Sequence, residues 1–416
     1  MRRRVLGLAA RAIERLLNAD TSDHVGPALP CRSCTGEARY AGRHSKTIAS
    51  VLGELRLERA YYHCAPCERG FCPRDQDLGI EGASLSPGVV RMIGAVGALG
   101  SFAEGSQLLW ELAGVQVDPK GVERTAEALG AEIDRDERSV VEAPARAEEI
   151  APTLYLGMDG TGVPMRKSEL AGRAGKQADG TAKTREVKLV TVWSAEGRDE
   201  EGRAVRDHGS VTYSAAIESA ATGDTDEQVS EFAQRVVREA QRRGFERAGR
   251  RVVLGDGAIW IWNLADEQFP GAIQIVDLFH AKGHLIDVAK DIWGPASELG
   301  RAWAKARHDE LDAGDVEAVE GALAVHAGAC EEARKCSGYV ARNRERMRYA
   351  QFRAQGLCVS TGVVEAGCKL AVGTRLKRAG MHWTVRGANS ILALRCARLS
   401  GRFEDFWERR ALRRAA

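Results

Sequence analysis

Residues Thr153–Gly162 read TLYLGMDGTG and residues Arg251–Gly257 read RVVLGDG. Each is a short apolar run that ends in an aspartate flanked by glycine, and runs of this length bounded by turn residues read as buried strands. Asp159 and Asp256 therefore stand at strand ends. Between them, Lys188–Trp193 reads as a second strand after a glycine-rich, charged excursion. Asp224–Arg243 reads as an amphipathic helix, with Val229, Phe232, Ala233, Val236, Val237 and Ala240 at helical spacing and Asp224 or Thr225 able to cap it. Ala272–Val276 follows as another buried-type strand. The predicted order is two strands, a helix, two strands, then helices.

From Leu285 to Gln355 the composition is helical throughout, with Trp293, Trp303 and Tyr339 as core candidates, and the stretch reads as an inserted helical domain. After it, Ser360-Thr361 can cap a helix that carries Glu365, Cys368, Leu370 and Ala371. Carboxylates at adjacent strand ends can share a metal, and Glu365 can complete a hard-oxygen site for Mg²⁺ or Mn²⁺. Such ions polarise a phosphodiester, activate water or a 3′-hydroxyl, and stabilise the leaving oxygen. Any one Asp beside a Gly is more often a turn residue. The strand, strand, helix order of the trio is what favours chemistry. Asp277, in Asp277-Leu278-Phe279-His280, also follows a strand and rivals Asp256. In an RNase H-like sheet the second carboxylate ends the fourth strand, which by count is Arg251–Leu254, so Asp256 is preferred. Asp277 and His280 are then accessory groups that orient DNA or a ligand, although a capping or surface role suits His280 and His284 equally well.

Upstream, Cys31-x-x-Cys34 and Cys64-x-x-Cys67 bracket a β-alternating segment, Lys46–His63. In it Leu55, Leu57 and Tyr61 share one face, and Arg56 and Glu58 the other. A hairpin turning at Leu52-Gly53 would bring the two knuckles together as a four-thiolate, structural Zn²⁺ site with no position left for substrate. Cys72 could substitute as a ligand, and a buried thiol is its plainer reading. Residues up to Asn18 suggest an amphipathic helix with Val5, Leu8, Ile13, Leu16 and Leu17 apolar. Beyond Ser86-Pro87 the pattern is helical, and two short helices around Gly114 suit either a helix-turn-helix or an ordinary helical hairpin. The charged stretch Glu123–Glu149 reads as a solvated linker helix.

With 416 residues the chain is long enough for two or three domains. Lys plus Arg (60) and Asp plus Glu (58) nearly balance, yet Cys368–Ala416 holds twelve basic and three acidic residues. A basic end fits a polyanion. Lys369, Arg375, Lys377, Arg378, His382 and Trp383 read as phosphate contacts with a stacking aromatic, against the plainer alternative of a solvated helix with a core Trp. The apolar run near Met1 is too short for a signal peptide, and the most apolar stretch elsewhere, the glycine-rich Met92–Ala103, falls far short of the roughly 20 residues that span a bilayer. Ten cysteines without a secretory signal read as thiols or metal ligands in a reducing cytoplasm.

Taken together, Val51–Leu55 (VLGEL), Arg59–Cys64 (RAYYHC), Phe71–Asp75 (FCPRD), Leu85–Gly88 (LSPG), Met158–Pro164 (MDGTGVP), Gly255–Ala258 (GDGA), Asp277–Ala281 (DLFHA) and Gly362–Lys369 (GVVEAGCK) resemble bacterial insertion-sequence transposases of the ISKra group, distantly Mutator-like. The resemblance implies an α/β, RNase H-like catalytic domain of the DDE type with a helical insertion before its glutamate, preceded by a zinc ribbon and a helix-turn-helix-like segment. It carries over Asp159, Asp256 and Glu365 as ligands of Mg²⁺ or Mn²⁺, and Asp277 with His280 as the accessory motif. The implied partners are double-stranded DNA, both terminal inverted repeats and target, with a homo-oligomer on DNA, no membrane, and a cytoplasmic, nucleoid-associated setting. The helical lead is short for this group, which raises the expectation of a truncated or alternative start.

The expected segments are a helical lead (1–28), a zinc ribbon (29–80), a helical DNA-binding segment and linker (81–150), the first catalytic part (151–290), the helical insertion (291–355), and the second catalytic part with basic helices (356–416). The alternatives left open are a DNA-binding repressor that has lost catalysis and a host nuclease of the same fold.

Overall fold

The computed structural model describes residues 1–139, 150–175, 177, 180–220 and 229–415. By its contacts the chain divides into two units, Met1–Ser139 with Ala393–Ala416, and Val140–Leu392.

In the first unit β1 (Ala28–Pro30), β2 (Glu37–Ser50), β3 (Gly53–Cys64) and β4 (Arg69–Phe71) form an antiparallel sheet in that order. The β2–β3 hairpin turns at Val51-Leu52, with Ser50 opposite Gly53. Its two ends bury opposite faces. Near the turn Leu55 and Leu57 pack with Ile48, Ile80 and Ala10, whereas near the cysteines Ala60, Tyr62 and Cys64 pack with Ala38. A register shift between Tyr40 and Arg43 lies between the two ends. Tyr61 shares the face of Leu55 and Leu57, as the alternation predicts, and at this end of the strand it is half-buried and stacked on His44 at 4.1 Å.

The helix α1 (Arg2–Ala19) covers the edge of β3 that has no strand partner: Glu14 accepts from the Arg56 N–H, and Asn18 bridges the Arg56 carbonyl and the Glu58 N–H. Beyond the sheet, α2 (Pro87–Leu99) is capped by Ser86, and α3 (Phe102–Leu108) by a Ser101/Glu104 capping box. After a π-helical turn, Leu109–Ala113, and Gly114, the long α4 (Pro119–Ser139) follows.

The expected linker helix is thus a packing element as far as Ser139, burying Val122, Ala126, Leu129 and Ile133; residues 140–149 of that expectation lie outside the described residues. Its charges have partners. Glu132 takes Arg410 at 2.7 Å, Asp136 takes Arg409 at 2.8 Å and Arg413 at 2.6 Å, and Glu137 takes Arg402 at 3.3 Å. Part of the basic C-terminal excess is therefore spent inside the protein. The same contacts group Ala393–Ala416 with the front of the chain.

The second unit is built on a five-stranded mixed sheet of β5 (Thr153–Pro164), β6 (Thr184–Ser194), β7 (Thr212–Ala216), β8 (Arg250–Gly255) and β9 (Ile273–Val276), in the spatial order β9-β8-β5-β6-β7. Neighbours among β5, β6 and β7 pair antiparallel, and β8 and β9 continue parallel to β5. The strand β7, with sequence TYSAA, was not expected: small and hydroxyl side chains carry little periodic signal although four of its five residues are buried. The helix α5 (Glu231–Arg242) is capped by Ser230, whose side chain accepts from the Ala233 N–H, so it starts later than expected. Asp224 and Thr225 lie outside the described residues.

The helices that follow are α6 (Ile259–Gln268), α7 (Leu278–Trp293), α8 (Glu298–Ala313), α9 (Val316–Ala327), α10 (Glu331–Asn343), α11 (Tyr349–Ala354) and α12 (Gly362–Gly367), the last continuing into a π-helical turn over Cys368–Gly373. One core joins the sheet to these helices, from Tyr155 and Trp193 through Phe232 and Ile261 to Leu285, Val319 and Tyr339. The short helix Thr374–Leu376 and the helices Val385–Leu399 and Phe403–Ala415 complete the chain. No helix among the described residues is long and apolar enough to cross a membrane.

Candidate functional site

Cys31, Cys34, Cys64 and Cys67 come together, with all four sulfurs within 4.8 Å of one another. Cys31 and Cys67 Sγ are 3.6 Å apart, as are those of Cys34 and Cys64. Tetrahedral zinc at about 2.3 Å from each sulfur sets neighbouring sulfurs roughly 3.8 Å apart, so the donor set and its spacing fit that ion. The first knuckle is closed by the Cys31 N–H on the Gly36 carbonyl at 2.8 Å, and N–H groups of Ser33 and Gly36 point at the sulfurs of Cys31 and Cys34. Those of Ser33 chiefly pull the Cys31 thiol down to about 6, whereas burial pushes Cys64 up to about 12. Cys72, the possible substitute, is a buried thiol at the start of the short helix Pro73–Asp77 and is not in the cluster.

In the second unit the strand register sets two aspartates side by side. Gly157 of β5 pairs with Leu254 of β8; two residues on, Asp256 follows the last residue of β8, whereas Asp159 lies inside β5, which continues to Pro164, and not at a strand end as expected, because its far half stays paired with β6. Glu365 arrives on α12, which lies tight against the sheet: a Cβ on Gly157 would come 2.2 Å from Val364, and one on Gly367 would come 2.9 Å from Leu189. Glycine at both positions lets the helix approach. Asp159 is half-buried, and one of its oxygens accepts from the Gly160 N–H at 2.6 Å. Burial is the main cause that raises its carboxyl above the usual range, and the charges of Asp256 and Glu365 push the same way. A hydrogen bond from the buried Cys368 thiol and the Gly160 N–H oppose the rise. The trio does not converge as the thiols do: among the described residues only the four cysteines form a tight metal-capable group, and Glu365 is 57% exposed, 3.7 Å from Lys369.

The same strand-end register would suit Asp277, since Val276 pairs with Gly255. Its hydrogen bonds separate it from the others. Asp277 is 1% exposed; one oxygen accepts from the His280 N–H at the start of α7, and the other from the Thr361 N–H at the start of α12. Thr361, the N-cap of α12, makes no side-chain cap bond; its own N–H is held by Asp277, and the Ser360 hydroxyl accepts from the Gly362 N–H at 3.2 Å. Asp277 thus ties the end of β9 to the helix that carries Glu365. Asp277→Ala would strand two N–H groups, one of them fully buried, and is expected to lower the unfolding free energy by about 2–4 kcal/mol. Urea unfolding followed by circular dichroism reads this directly; a change below about 0.5 kcal/mol would remove the tie from the account.

Of the other expected residues, Lys369, Lys377 and His382 are exposed and Arg378 is half-buried. Lys377 donates to the Thr161 hydroxyl, beside Asp159 on β5. Arg375 and Trp383 are corrected. Arg375 is fully buried with its guanidinium 5.1 Å from the Trp383 ring, and the Trp383 indole N–H donates to the Leu376 carbonyl at 3.0 Å. Both are core residues, out of reach of a duplex. His280 is exposed, with His284 4.8 Å away, ring centre to ring centre.

Two residues next to the aspartates carried no expectation of a site role. Cys368 touches Asp159, and its i, i+3 spacing from Glu365 on a helix was the signal available for it. Tyr339, read only as core, donates its hydroxyl to the Asp256 carbonyl at 2.8 Å.

A profile described as an uncharacterised protein family (UPF0236) matches residues 37–410. Among solved structures, the Drosophila P element transposase strand transfer complex is similar at 10% identity and a TM-score of 0.26, over 77% of this chain and 80% of that one. No curated protein matches the sequence.

Proposed function

We propose, from the premise that this chain belongs to the uncharacterised protein family UPF0236, that it is a DNA transposase of the DDE type, of the ISKra-like insertion-sequence kind. The observation that carries the reading is the placement of Asp159 and Asp256 each two residues past the paired Gly157 and Leu254 of two adjacent parallel strands, with Glu365 near enough for its charge to be felt at Asp159. The strand order, three antiparallel strands followed by two parallel to the first, supports an RNase H-like catalytic core.

Asp159, Asp256 and Glu365 are the hard-oxygen donors that suit Mg²⁺ or Mn²⁺. When bound, such ions supply polarisation of the scissile phosphodiester and activation of water or a 3′-hydroxyl. The chain's own part is placement. Gly160 and Cys368 orient the Asp159 carboxylate, Asp277 fixes the root of the Glu365 helix, and Lys377 and Lys369 set cations beside the two ends of the trio, where a DNA phosphate would be received. The four-cysteine ribbon and the helical segment after it would recognise terminal inverted repeats, with the protein acting as a homo-oligomer on DNA.

The test is a cleavage assay with the purified full chain and duplexes that carry the element ends, in Mg²⁺, Mn²⁺ or EDTA. Strand nicks at the element boundary that leave 3′-hydroxyl ends, dependent on the divalent ion, are expected. Binding of the ends without nicking in either metal would favour a repressor; metal-dependent nicking indifferent to the ends would favour a nuclease.

A further inference from the structure

The helical segment between Asp256 and Glu365 reaches back to the carboxylate site through one side chain. Tyr339, on α10, is 9% exposed, and its hydroxyl donates to the main-chain carbonyl of Asp256 at 2.8 Å. Its ring lies flush on the next residue. Gly257 has φ +97°, and a Cβ there would come within 2.4 Å of Tyr339 Cε2 and 2.8 Å of its hydroxyl oxygen. The His284 ring is 4.5 Å away and that of His280 6.4 Å. The turn that presents Asp256 is thus clamped from α10, while inside the turn one Asp256 oxygen accepts from the Ala258 N–H at 2.9 Å.

We infer that Tyr339 is a positioning residue for Asp256, through which the helical insertion sets the divalent-cation affinity of the carboxylate site. The inference rests on the proposed metal-binding role of the trio. A hydroxyl bound to the carbonyl fixes the peptide from which the carboxylate springs without occupying the carboxylate, so it leaves that group's remaining lone pairs for a cation. A residue that merely filled the core would affect stability and leave cation affinity alone.

Tyr339→Phe keeps the ring and deletes the donor. Mn²⁺ binding to the zinc-loaded full chain, read as loss of the free-ion EPR signal, is expected to weaken about tenfold, the lower end for a lost supporting contact. Affinity is taken per folded molecule, with thermal unfolding measured alongside. Gly257→Ala, which presses a methyl group into the same ring and strains the turn, is expected to weaken it further. Mn²⁺ affinity within twofold of the wild type in Tyr339→Phe overturns the inference and returns Tyr339 to the core. Wild-type Mn²⁺ binding that is unchanged by Asp159→Asn and Asp256→Asn overturns the metal-site reading itself, and the inference with it.

Discussion

Asp159→Asn, Asp256→Asn and Glu365→Gln are each expected to cut metal-dependent strand cleavage roughly a thousandfold or more, with binding of the element ends retained. The amides keep the size of the acids and an acceptor oxygen, so the Gly160 N–H at position 159 and the Ala258 N–H at position 256 keep their partners. The charge is what is lost. For Asp159 the sign of the stability change separates a catalytic loss from misfolding. Its carboxyl is raised above the ordinary range, so ionisation costs the folded state more than the unfolded chain, and that cost is in place once pH has risen through the folded value. At neutral pH Asp159→Asn should therefore melt at or above the wild-type temperature while cleavage disappears. A residue kept ionised against its surroundings is expected where function, and not stability, has selected it. Asp277→Asn is the control, since it should lose stability first. If Asp256→Asn still cleaves and a folded Asp277→Asn protein does not, the second ligand has been misassigned.

The strands β5, β8 and β9 were legible because each carries a short apolar run beside turn residues, and a largely buried strand needs no alternation to be seen. The cysteine knuckles were legible from spacing alone. What could not be read has a common physical form: a polar side chain whose partner lies far along the chain. Asp277 looks like a third strand-end carboxylate until Thr361, 84 positions later, takes its second oxygen. The acids of α4 look solvated until arginines some 270 positions away pair with them. Arg375 and Trp383 suggested a phosphate and base contact because burial of a guanidinium depends on tertiary neighbours that composition does not encode. The change of covered face along the hairpin was hidden too: alternation puts Leu55, Leu57 and Tyr61 on one face but does not say where along the strand that face stops being buried.

Removing zinc is expected to have the largest structural effect. At the cysteine end of the hairpin the buried apolar set is small, Ala38, Ala60, Tyr62 and Cys64 with part of Leu29 and Phe71, and β1 and β4 are three residues each. A cluster of that size cannot offset the ordering of the knuckles, and in small metal sites the binding free energy is folding free energy. Cys31→Ser with Cys34→Ser, or chelation, should therefore melt this end of the sheet, lower the unfolding midpoint of the chain by on the order of 10 °C or more, and weaken end binding at least tenfold. The effect should be local at first. Near the turn, Leu55, Leu57 and Ile48 are held by α1, and the Arg59–Asp75 pair at 2.6 Å and the Arg43–Asp23 pair at 3.0 Å do not involve the cysteines. Amide exchange should accordingly accelerate at Ala60–Cys64 and the two knuckles while Leu55–Leu57 stays protected. One zinc per chain in the purified protein, with that split in exchange rates on its removal, is the expected result. A zinc-free chain that keeps protected amides at Tyr62 and undiminished end binding would mean that the four thiols are only neighbours.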